Sequence, residues 1–293
     1  MTREEFEFIA ALVGRHAGYH IAPEKAYLVE KRLKPMIQRH GPGGLAGLIE
    51  NVRRDPNGEV ARALVVAMIN KETFFFRDLH TFRALREEVI PGLQNQRAQA
   101  RQLRIWSTGC ATGQEPYSVA MVLAQMEVEL TGWSVEIMAS DLDRDLIKKA
   151  ASGLFTRFEM QRGLPVRMLL RHFGEVPDDQ WQIDERMRGM VTFRESNLLQ
   201  PADGFGVWDI ILCRNVLSSF GPEAQAATLE RLAGVLQTGG MLMLGANESV
   251  TGPAGLFEMV DRSTGLYRRS SAPAGANPIE APAPAPDARR ATA

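Results

Sequence analysis

Four polar residues stand where the sequence predicts that the strands of an α/β sheet end. Glu115 follows a glycine-containing turn, Asp141 ends one apolar run, and Asn197 and Asn215 follow two later runs. Ligands of open α/β sheets bind beyond the carboxyl ends of the strands, so these side chains could surround one ligand. The carboxylate of Asp141 could accept hydrogen bonds from both hydroxyls of a ribose, and that of Glu115 could bind an ammonium group.

Each of these residues also has a purely structural interpretation. Asp141 could cap the helix predicted to begin near Arg144, and Asn215 could be an ordinary turn residue. The charge of Glu115 at a helix start would be stabilised by the helix dipole without any ligand. These residues alone leave both interpretations open.

A small-residue turn between a predicted strand and a predicted helix would position these groups. Residues 103–106 have the composition of a strand, residues 119–124 that of a helix, and Gly109 and Gly113 lie between them. The spacing G-x-x-x-G differs from the dinucleotide pattern G-x-G-x-x-G, and the turn lacks the Lys-Ser or Lys-Thr of a P-loop. The two glycines can adopt backbone angles that let a ligand approach the main chain. A tight turn without a ligand is the alternative.

Composition and charge exclude several classes of function. The chain has 293 residues, 45% of them hydrophobic, which is enough for one large domain or two smaller ones with a substantial core. The net charge of −1 gives no electrostatic drive toward nucleic acid or an anionic membrane. Two cysteines and a charged amino terminus without an apolar signal core predict a soluble, cytoplasmic protein.

Other catalytic arrangements are missing from the sequence. The five histidines show no metal-ligand spacing, so no metal site is predicted. The chain contains no G-x-S-x-G nucleophile motif. Neither Cys110 nor Cys213 has an obvious histidine partner that would activate it.

The chain divides by pattern into a helical part and an α/β part. Residues 1–90 predict a helical amino-terminal domain, residues 91–101 a polar linker, and residues 102–270 the α/β domain. Residues 172–192 alternate like a small antiparallel insertion within it. Residues 271–293 are rich in Pro and Ala, show no periodicity and predict a disordered tail.

Two segments of the helical part have an uncommon composition. The helix predicted over residues 23–40 is basic, and its face is either solvated or a docking surface for an acidic partner; its cations are Lys25, Lys31, Arg32, Lys34 and Arg39. The phenylalanines at 74–76 cannot share one helix face, so we expect them to hold a turn between two packed domains. The neighbouring Arg77 needs a carboxylate, a π face or a ligand.

Five signatures occur in the order found in the chemotaxis receptor glutamate methyltransferases of the CheR type. They are E-T-F-F-F-R-D at 72–78, T-G-Q-E-P-Y-S at 112–118, A-S-D-L-D at 139–143, N-L-L at 197–199 and C-R-N-V-L at 213–217. Residues 1 to about 269 resemble this family, and the ordered set is far more specific than any one motif.

The resemblance implies the fold of the class I S-adenosylmethionine-dependent methyltransferases. This is a Rossmann-like α/β fold with a seven-stranded, mostly parallel sheet, here with an all-α amino-terminal domain and a small inserted antiparallel β-subdomain. The implied cofactor is S-adenosyl-L-methionine, and its product is S-adenosyl-L-homocysteine. Its ribose diol suits Asp141, its α-ammonium suits Glu115, and it has no pyrophosphate. The residues that the family places around it are Thr73, Arg77, Glu115, Asp141, Asn197, Leu198, Asn215 and Val216.

The implied reaction is methyl transfer to receptor glutamates, which gives methyl esters and serves sensory adaptation. A glutamate has an unperturbed pKa of about 4.3 and is already ionised near neutral pH, so the nucleophile needs no general base. We expect Arg77 to act in catalysis by holding the incoming carboxylate or the cofactor near the methyl group.

Two positions depart from the family pattern. Lys71 stands where an asparagine is common, and Ser219 replaces the tyrosine of the family motif R-N-V-L-I-Y-F. A serine cannot shield the site as a ring does, so we expect weakened catalysis. Ser219 also supports the alternative of a regulatory protein that binds the cofactor with little turnover. An RNA methyltransferase is disfavoured by the near-neutral charge.

The expected partners are the cytoplasmic helices of chemotaxis receptors. The segment 173–181 is short for the loop with which some family members bind a receptor carboxyl-terminal pentapeptide. We therefore expect pentapeptide-independent docking through the basic helix, and a monomeric enzyme.

Overall fold

The computed structural model describes residues 1–41, 43–202, 204–251 and 255–271. Four helices form the amino-terminal domain: α1 (Arg3–Ala17), α2 (Ala26–His40), α3 (Leu45–Arg54) and α4 (Glu59–Met68). The tail predicted to be disordered lies outside the described residues from 272 onward.

Local signals set the ends of α1. The Thr2 hydroxyl accepts a hydrogen bond from the N–H of Glu5, whose carboxylate accepts one from the N–H of Thr2, which is a capping box. Gly18 ends the helix in the left-handed conformation at φ 71°. The helix therefore continues through Gly14, although the glycines at 14 and 18 predict an interruption there.

The apolar spacing of residues 59–70 predicts a helix with a buried stripe at residues 60, 63, 64, 67 and 68, and the buried face of α4 differs from this stripe. Leu64 and Met68 are buried as predicted, but Ala61 and Val65 complete the buried face and Ala63 is exposed. The face is rotated because α4 packs against both α1 and α2, which enclose it from two sides.

The remaining elements form the α/β domain. Its strands are β1 (Gln102–Thr108), β2 (Ser134–Asp141), β3 (Leu154–Thr156), β4 (Phe173–Val176), β5 (Gln180–Ile183), β6 (Val191–Glu195), β7 (Trp208–Cys213), β8 (Leu236–Leu244), β9 (Phe257–Asp261) and β10 (Leu266–Arg269). Its helices are α5 (Leu79–Ala84), α6 (Ile90–Gln96), α7 (Gln114–Gln125), α8 (Arg144–Ser152), α9 (Arg157–Met160), α10 (Val166–His172), α11 (Glu185–Gly189) and α12 (Pro222–Val235).

Seven strands form the main sheet in the order β6-β2-β1-β7-β8-β10-β9. Strands β6, β2, β1, β7 and β8 are parallel, and β10 is antiparallel to both of its neighbours. This is the seven-stranded, mostly parallel sheet with one reversed strand that the resemblance implied. A second sheet, β3-β5-β4, is the small antiparallel insertion, and it begins earlier in the chain than predicted because β3 belongs to it.

Both faces of the main sheet are covered by hydrophobic side chains. In β7, Ile210 and Leu212 belong to the core that contains α5 to α7, whereas Ile211 and Cys213 belong to the core beneath α12. Successive strand residues point to opposite faces, so a central strand covered on both faces is mostly apolar. Its one charged residue, Asp209, is buried and accepts hydrogen bonds from the guanidinium of Arg97 and the N–H of Arg104.

The hydrophobic cores divide near residue 70. From the sequence we had predicted the domain boundary near residue 90. The side chains of Phe82, Leu85 and Leu93 belong to the core of the sheet, and the core of the first four helices ends at Met68. A π-helical turn over Leu85–Val89 joins α5 to α6, so a helix covers the start of the predicted linker.

Two of the three adjacent phenylalanines pack inside the α/β domain. Phe75 contacts the rings of Phe155 and Phe173, at 5.0 and 5.5 Å between centroids, and Phe76 contacts that of Phe82 at 5.3 Å. They form a turn, as predicted, but the expected packing between two domains is wrong for Phe75 and Phe76.

Two boundaries also differ from the predictions. The sequence predicts a helix from Glu115 to about residue 130, but α7 ends at Gln125. It also predicts a strand over 241–246 after Gly239 and Gly240, but β8 begins at Leu236 and passes through both glycines. None of the helices within the described ranges is long and apolar enough to cross a membrane.

Candidate active site

One cavity lies beyond the carboxyl ends of β1, β2, β6 and β7 and encloses about 920 Å³ of empty space, including its open mouth. All eight residues predicted for the site line it. The loops of the sheet contribute Glu115, Asp141, Asn197, Leu198, Asn215 and Val216. The segment between the two domains contributes Thr73 and Arg77. The helical domain closes one side with Ala17, Tyr19 and Ile69.

The two glycines of the turn after β1 have different tasks. Gly109 has φ 64° and lines the cavity, where a Cβ would lie 2.5 Å from Cγ2 of Val216. Gly113 has φ 93°, and its absent Cβ would lie 3.0 Å from Cβ of Ala150 on α8. Gly109 therefore keeps the rim of the cavity open, whereas Gly113 lets two helices approach each other.

Asp141 fixes the turn and is not the helix cap that we had left open. Its carboxylate accepts hydrogen bonds from the N–H groups of Ala111 and Asp143, each at 2.9 Å. The cap of α8 is Asp143, which accepts from the N–H of Asp145. Burial raises the pKa of Asp141, and the two N–H groups oppose that shift.

Glu115 forms a buried ion pair that the sequence did not predict. Its carboxylate accepts a hydrogen bond from the Ser107 hydroxyl at 2.8 Å and one from the guanidinium of Arg214 at 3.1 Å. Burial raises the pKa of Glu115, while the charge of Arg214 and the bond from Ser107 lower it.

Arg214 connects this pair to the segment that carries Arg77. Its side chain is 1% exposed, and it donates hydrogen bonds to the carbonyl of Arg77 and the carboxylate of Asp78, both at 2.7 Å. A buried guanidinium needs such partners, because an unpaired charge in the interior is costly. Arg214 belongs to the C-R-N-V-L signature, but sequence reasoning assigned it no role.

Arg77 is held over the cavity by its own segment. Its guanidinium donates a hydrogen bond to the carbonyl of Glu72 at 3.0 Å and lies 5.4 Å from the ring centroid of Phe74. Of the three partners that the sequence leaves open for Arg77, a carboxylate, a π face or a ligand, the ring of Phe74 supplies the π face. Thr73, four residues before it, also lines the cavity.

Asn197 joins the cavity to the helical domain. Its amide donates a hydrogen bond to the carbonyl of His16 at 2.7 Å and accepts one from the N–H of Leu199 at 2.9 Å. The carbonyl of Leu198 lies 3.5 Å from the guanidinium of Arg231 on α12. The side chain of Asn197 is thus already engaged in positioning α1.

The carboxylate of Glu248, which the sequence analysis did not single out, holds the turn of Asn215. Asn215 has φ 60°, and its N–H donates to the carboxylate of Glu248 at 2.6 Å. The same carboxylate accepts from the N–H groups of Gly245 and Ser218, both at 2.9 Å. These bonds tie the loops after β7 and β8 together and place Val216 against Gly109. No local motif could have revealed an interaction across 33 residues.

The cysteines have no place in this chemistry. Cys110 and Cys213 are buried and free, and burial raises the pKa of both thiols. Within the described ranges, no three metal-binding side chains come together.

The cavity fits the cofactor that the resemblance implied. Asp141 and Glu115 present carboxylates for a ribose diol and an ammonium group. The turn at Gly109 lacks the glycine spacing of a pyrophosphate site, and S-adenosylmethionine contains no pyrophosphate.

The reversed strand in the seven-stranded sheet and the cavity at its carboxyl edge define a class I methyltransferase fold. The chain belongs to the CheR methyltransferase family. The family model for the CheR all-alpha domain matches residues 4–69, and that for the CheR SAM binding domain matches residues 71–266.

Two relatives agree with this assignment. A chemotaxis protein methyltransferase of Vibrio parahaemolyticus is 32% identical over 268 residues, which cover 91% of this chain and 96% of that protein. The chemotaxis protein methyltransferase 1 of Pseudomonas aeruginosa is 33% identical over 269 residues, which cover 91% and 97%. The family is therefore supported over nearly the whole length of both relatives.

Proposed function

We propose that this protein transfers a methyl group from S-adenosylmethionine to the side-chain carboxylates of glutamates on chemotaxis receptors. The observation that carries the proposal is the convergence of Asp141, Glu115 and Arg77 on one cavity at the carboxyl edge of a methyltransferase sheet. Membership in the CheR family supports the assignment.

We assign the eight predicted residues to the cofactor, and Arg77 among them also to the glutamate carboxylate. The carboxylate of Asp141 accepts hydrogen bonds from the ribose hydroxyls, and that of Glu115 accepts hydrogen bonds from the α-ammonium group. Gly109 lets the cofactor approach the main chain. The rest of the lining is completed by Thr73 from the segment between the domains and by four residues of the loops after β6 and β7, Asn197, Leu198, Asn215 and Val216. Because the Asn197 amide and the Asn215 N–H are already bonded within the protein, we assign these two residues to wall geometry.

The reaction requires orientation rather than proton transfer. When bound, S-adenosylmethionine would be held by Asp141 and Glu115 and would supply a methyl group that is activated by the bond to its cationic sulfur. Arg77 holds the anionic carboxylate in line with that bond, and the walls exclude water. No side chain of the site has to act as a base, which agrees with the buried, paired state of Glu115.

The test is the transfer of labelled methyl groups to receptor-containing membranes from the same cell. Incorporated label that is released as methanol by mild alkali identifies a carboxylate ester. The absence of any base-labile label, with the cofactor bound, would contradict the proposal.

Arg77→Ala should lower turnover by about 10²-fold or more, since orientation effects of this kind are large. Arg77→Lys is the matched variant that keeps the charge but loses the planar fork, and we expect intermediate turnover. Arg83→Ala, an exposed arginine on α5, is the control and should keep full activity. Full turnover by Arg77→Ala would remove the assigned role.

A cofactor-binding regulatory protein with little turnover is the second candidate. Ser219 favours it, because this residue lines the cavity where the family motif has a tyrosine. Binding of the cofactor without transfer to any receptor would decide for this candidate. Ser219→Tyr should raise the methylation rate if the missing ring limits catalysis.

The partners that we propose are the acidic methylation helices of receptors. The cations Lys25, Lys31, Lys34 and Arg39 of the basic helix are all exposed, and none forms an ion pair with the described residues. The turn between β4 and β5 has only three residues, 177–179, which supports docking without a pentapeptide. We propose a monomeric enzyme that acts in the cytoplasm, where the methylated helices lie.

A further inference from the structure

The helical domain contributes an aromatic residue, Tyr19, to the wall of the cavity. Residues 18–20 pair with residues 219–221 across the two domains, and Tyr19 forms an antiparallel bridge with Phe220. The N–H of His20 donates a hydrogen bond to the carbonyl of Ser219 at 2.8 Å, and the N–H of Gly221 donates one to the carbonyl of Gly18 at 2.9 Å. This pairing fixes the main chain on both sides of Tyr19.

The side chain of Tyr19 is fixed as well. Its hydroxyl accepts a hydrogen bond from the N–H of Asn70 at 3.1 Å, and its ring is half-buried against the helical core. Gly18 permits the close approach, since a Cβ there would lie 3.1 to 3.2 Å from Leu199 and Phe220. The ring therefore stands at the junction of the three walls formed by α1, by the segment after α4 and by the loop after β7.

Two other aromatic residues line the cavity, but their rings are already in use. Phe74 lies beside the guanidinium groups of Arg77 and Arg162, at 5.4 and 4.9 Å from its centroid. Phe220 packs against the core beneath α12. Within the described part of the chain, the ring of Tyr19 has no cation over it.

We propose that Tyr19 supplies the aromatic face that binds the cationic sulfur of the methyl donor. The inference rests on the proposed function, because it takes S-adenosylmethionine as the ligand. A cation over a tyrosine ring is attracted by the ring quadrupole, and the attraction grows when water is removed. Position 219, next to the bridge, carries a serine that cannot provide such a face. The helical domain thus completes the binding site as well as docking the receptor.

The chemistry of the two ligands gives a sharp test. S-adenosylmethionine carries a positive sulfur and S-adenosylhomocysteine a neutral one, and the two are otherwise alike apart from the methyl group. A ring that acts on the charge should therefore distinguish them, whereas a ring that only fills space should not. The quantity to measure by calorimetry is the ratio of the two dissociation constants on the full-length protein.

Tyr19→Leu, which keeps an apolar side chain but removes the π face, should weaken binding of S-adenosylmethionine by about tenfold. Its affinity for S-adenosylhomocysteine should change by less than about twofold. Tyr19→Phe keeps the face and should retain the wild-type ratio. Tyr27→Leu, which removes a tyrosine of α2 that is 66% exposed and outside the cavity, is the matched control.

Equal weakening of both ligands by Tyr19→Leu, or weakening of neither, overturns the inference and leaves the proposed function intact. A wild-type protein that binds neither ligand overturns the proposed function itself. If Tyr19→Leu fails to fold, the ratio for Tyr19→Trp decides: a larger π face should favour the cationic ligand at least as strongly as tyrosine does, and a lower preference for that ligand overturns the inference.

Discussion

The carboxylate of Glu115 has to be ionised to bind an ammonium group. Burial raises its pKa above the ordinary value of 4.5, and Arg214 only partly offsets this. Above the raised pKa the group is ionised and cofactor affinity should be independent of its titration. As the pH falls through that pKa, the carboxylate is protonated and the affinity should fall, beginning at a higher pH than for an exposed glutamate.

Calorimetry of S-adenosylhomocysteine binding between pH 4.5 and 8 would measure this dependence. Glu115→Gln should bind more weakly at pH 8 and lose most of the variation with pH. The pH dependence that remains in Glu115→Gln would come from Asp141 and have the same direction, because burial raises the pKa of Asp141 too. Glu4→Gln changes an exposed residue of α1, and its affinity for S-adenosylhomocysteine should depend on pH as in the wild type. A pH-independent affinity in the wild type would contradict the role of Glu115.

The place of a residue in the site was predictable where a sequence motif contained that residue. Its contacts were not predictable where the contacting residue is distant in the chain. Asp141 and Glu115 follow strand ends, so their approach to one cavity follows from topology. The pairing of Glu115 with Arg214 spans 99 residues, and that of Asn215 with Glu248 spans 33. Neither is encoded in local spacing, because both depend on which strands become neighbours in the sheet.

At the scale of the element, the turn after β1 depends on Gly109. An alanine there would adopt a left-handed conformation and place its Cβ 2.5 Å from Val216. Gly43 has a similar angle, φ 88°, but an added Cβ would meet nothing within 4 Å. Gly43→Ala thus isolates the conformational cost, about 1–2 kcal/mol, from the cost of the collision.

Gly109→Ala should lower the free energy of unfolding by about 3 kcal/mol or more, because overpacking adds to the conformational cost. It should also abolish or strongly weaken cofactor binding, whereas Gly43→Ala should leave binding unchanged. Denaturant unfolding and calorimetry on both variants measure these effects. Equal unfolding costs with retained binding would show that Val216 moves away and that the turn tolerates a side chain.

Elements with one strong pattern were predictable, and those shaped by tertiary contacts were not. The sequence predicts a strand over 207–213 and a helix over 144–152, and the structure has β7 at Trp208–Cys213 and α8 at Arg144–Ser152. The π-helical turn at Leu85–Val89 and the passage of β8 through Gly239 have no local signal. The pairing of β8 with β7 joins Trp208 to Leu236 and resumes at Ile210 with Met241, so the glycines lie in an irregularity of the ladder, where glycine is tolerated.

At the scale of the whole molecule, two hydrophobic cores share one cavity. The helical domain reaches the sheet domain through the bridge of Tyr19 with Phe220 and the hydrogen bond of Asn197 with His16. The same helical domain presents the basic face of α2 to the outside. One domain could therefore hold the receptor on one surface and complete the reaction cavity on another, which would place the receptor near the methyl donor.

This arrangement predicts that receptor docking and cofactor binding can be separated by mutation. The double variant Lys31→Glu, Lys34→Glu on α2 should raise the KM for receptor membranes by roughly tenfold and reduce its dependence on salt, since exposed interfacial charges mainly steer association. Affinity for S-adenosylhomocysteine should stay at the wild-type value. The charge-matched control is Arg83→Glu, Arg144→Glu on α5 and α8, which should leave the KM nearly unchanged. A receptor-tail pentapeptide should show no binding in calorimetry; micromolar binding, or a double variant with the wild-type KM, would place the docking surface elsewhere.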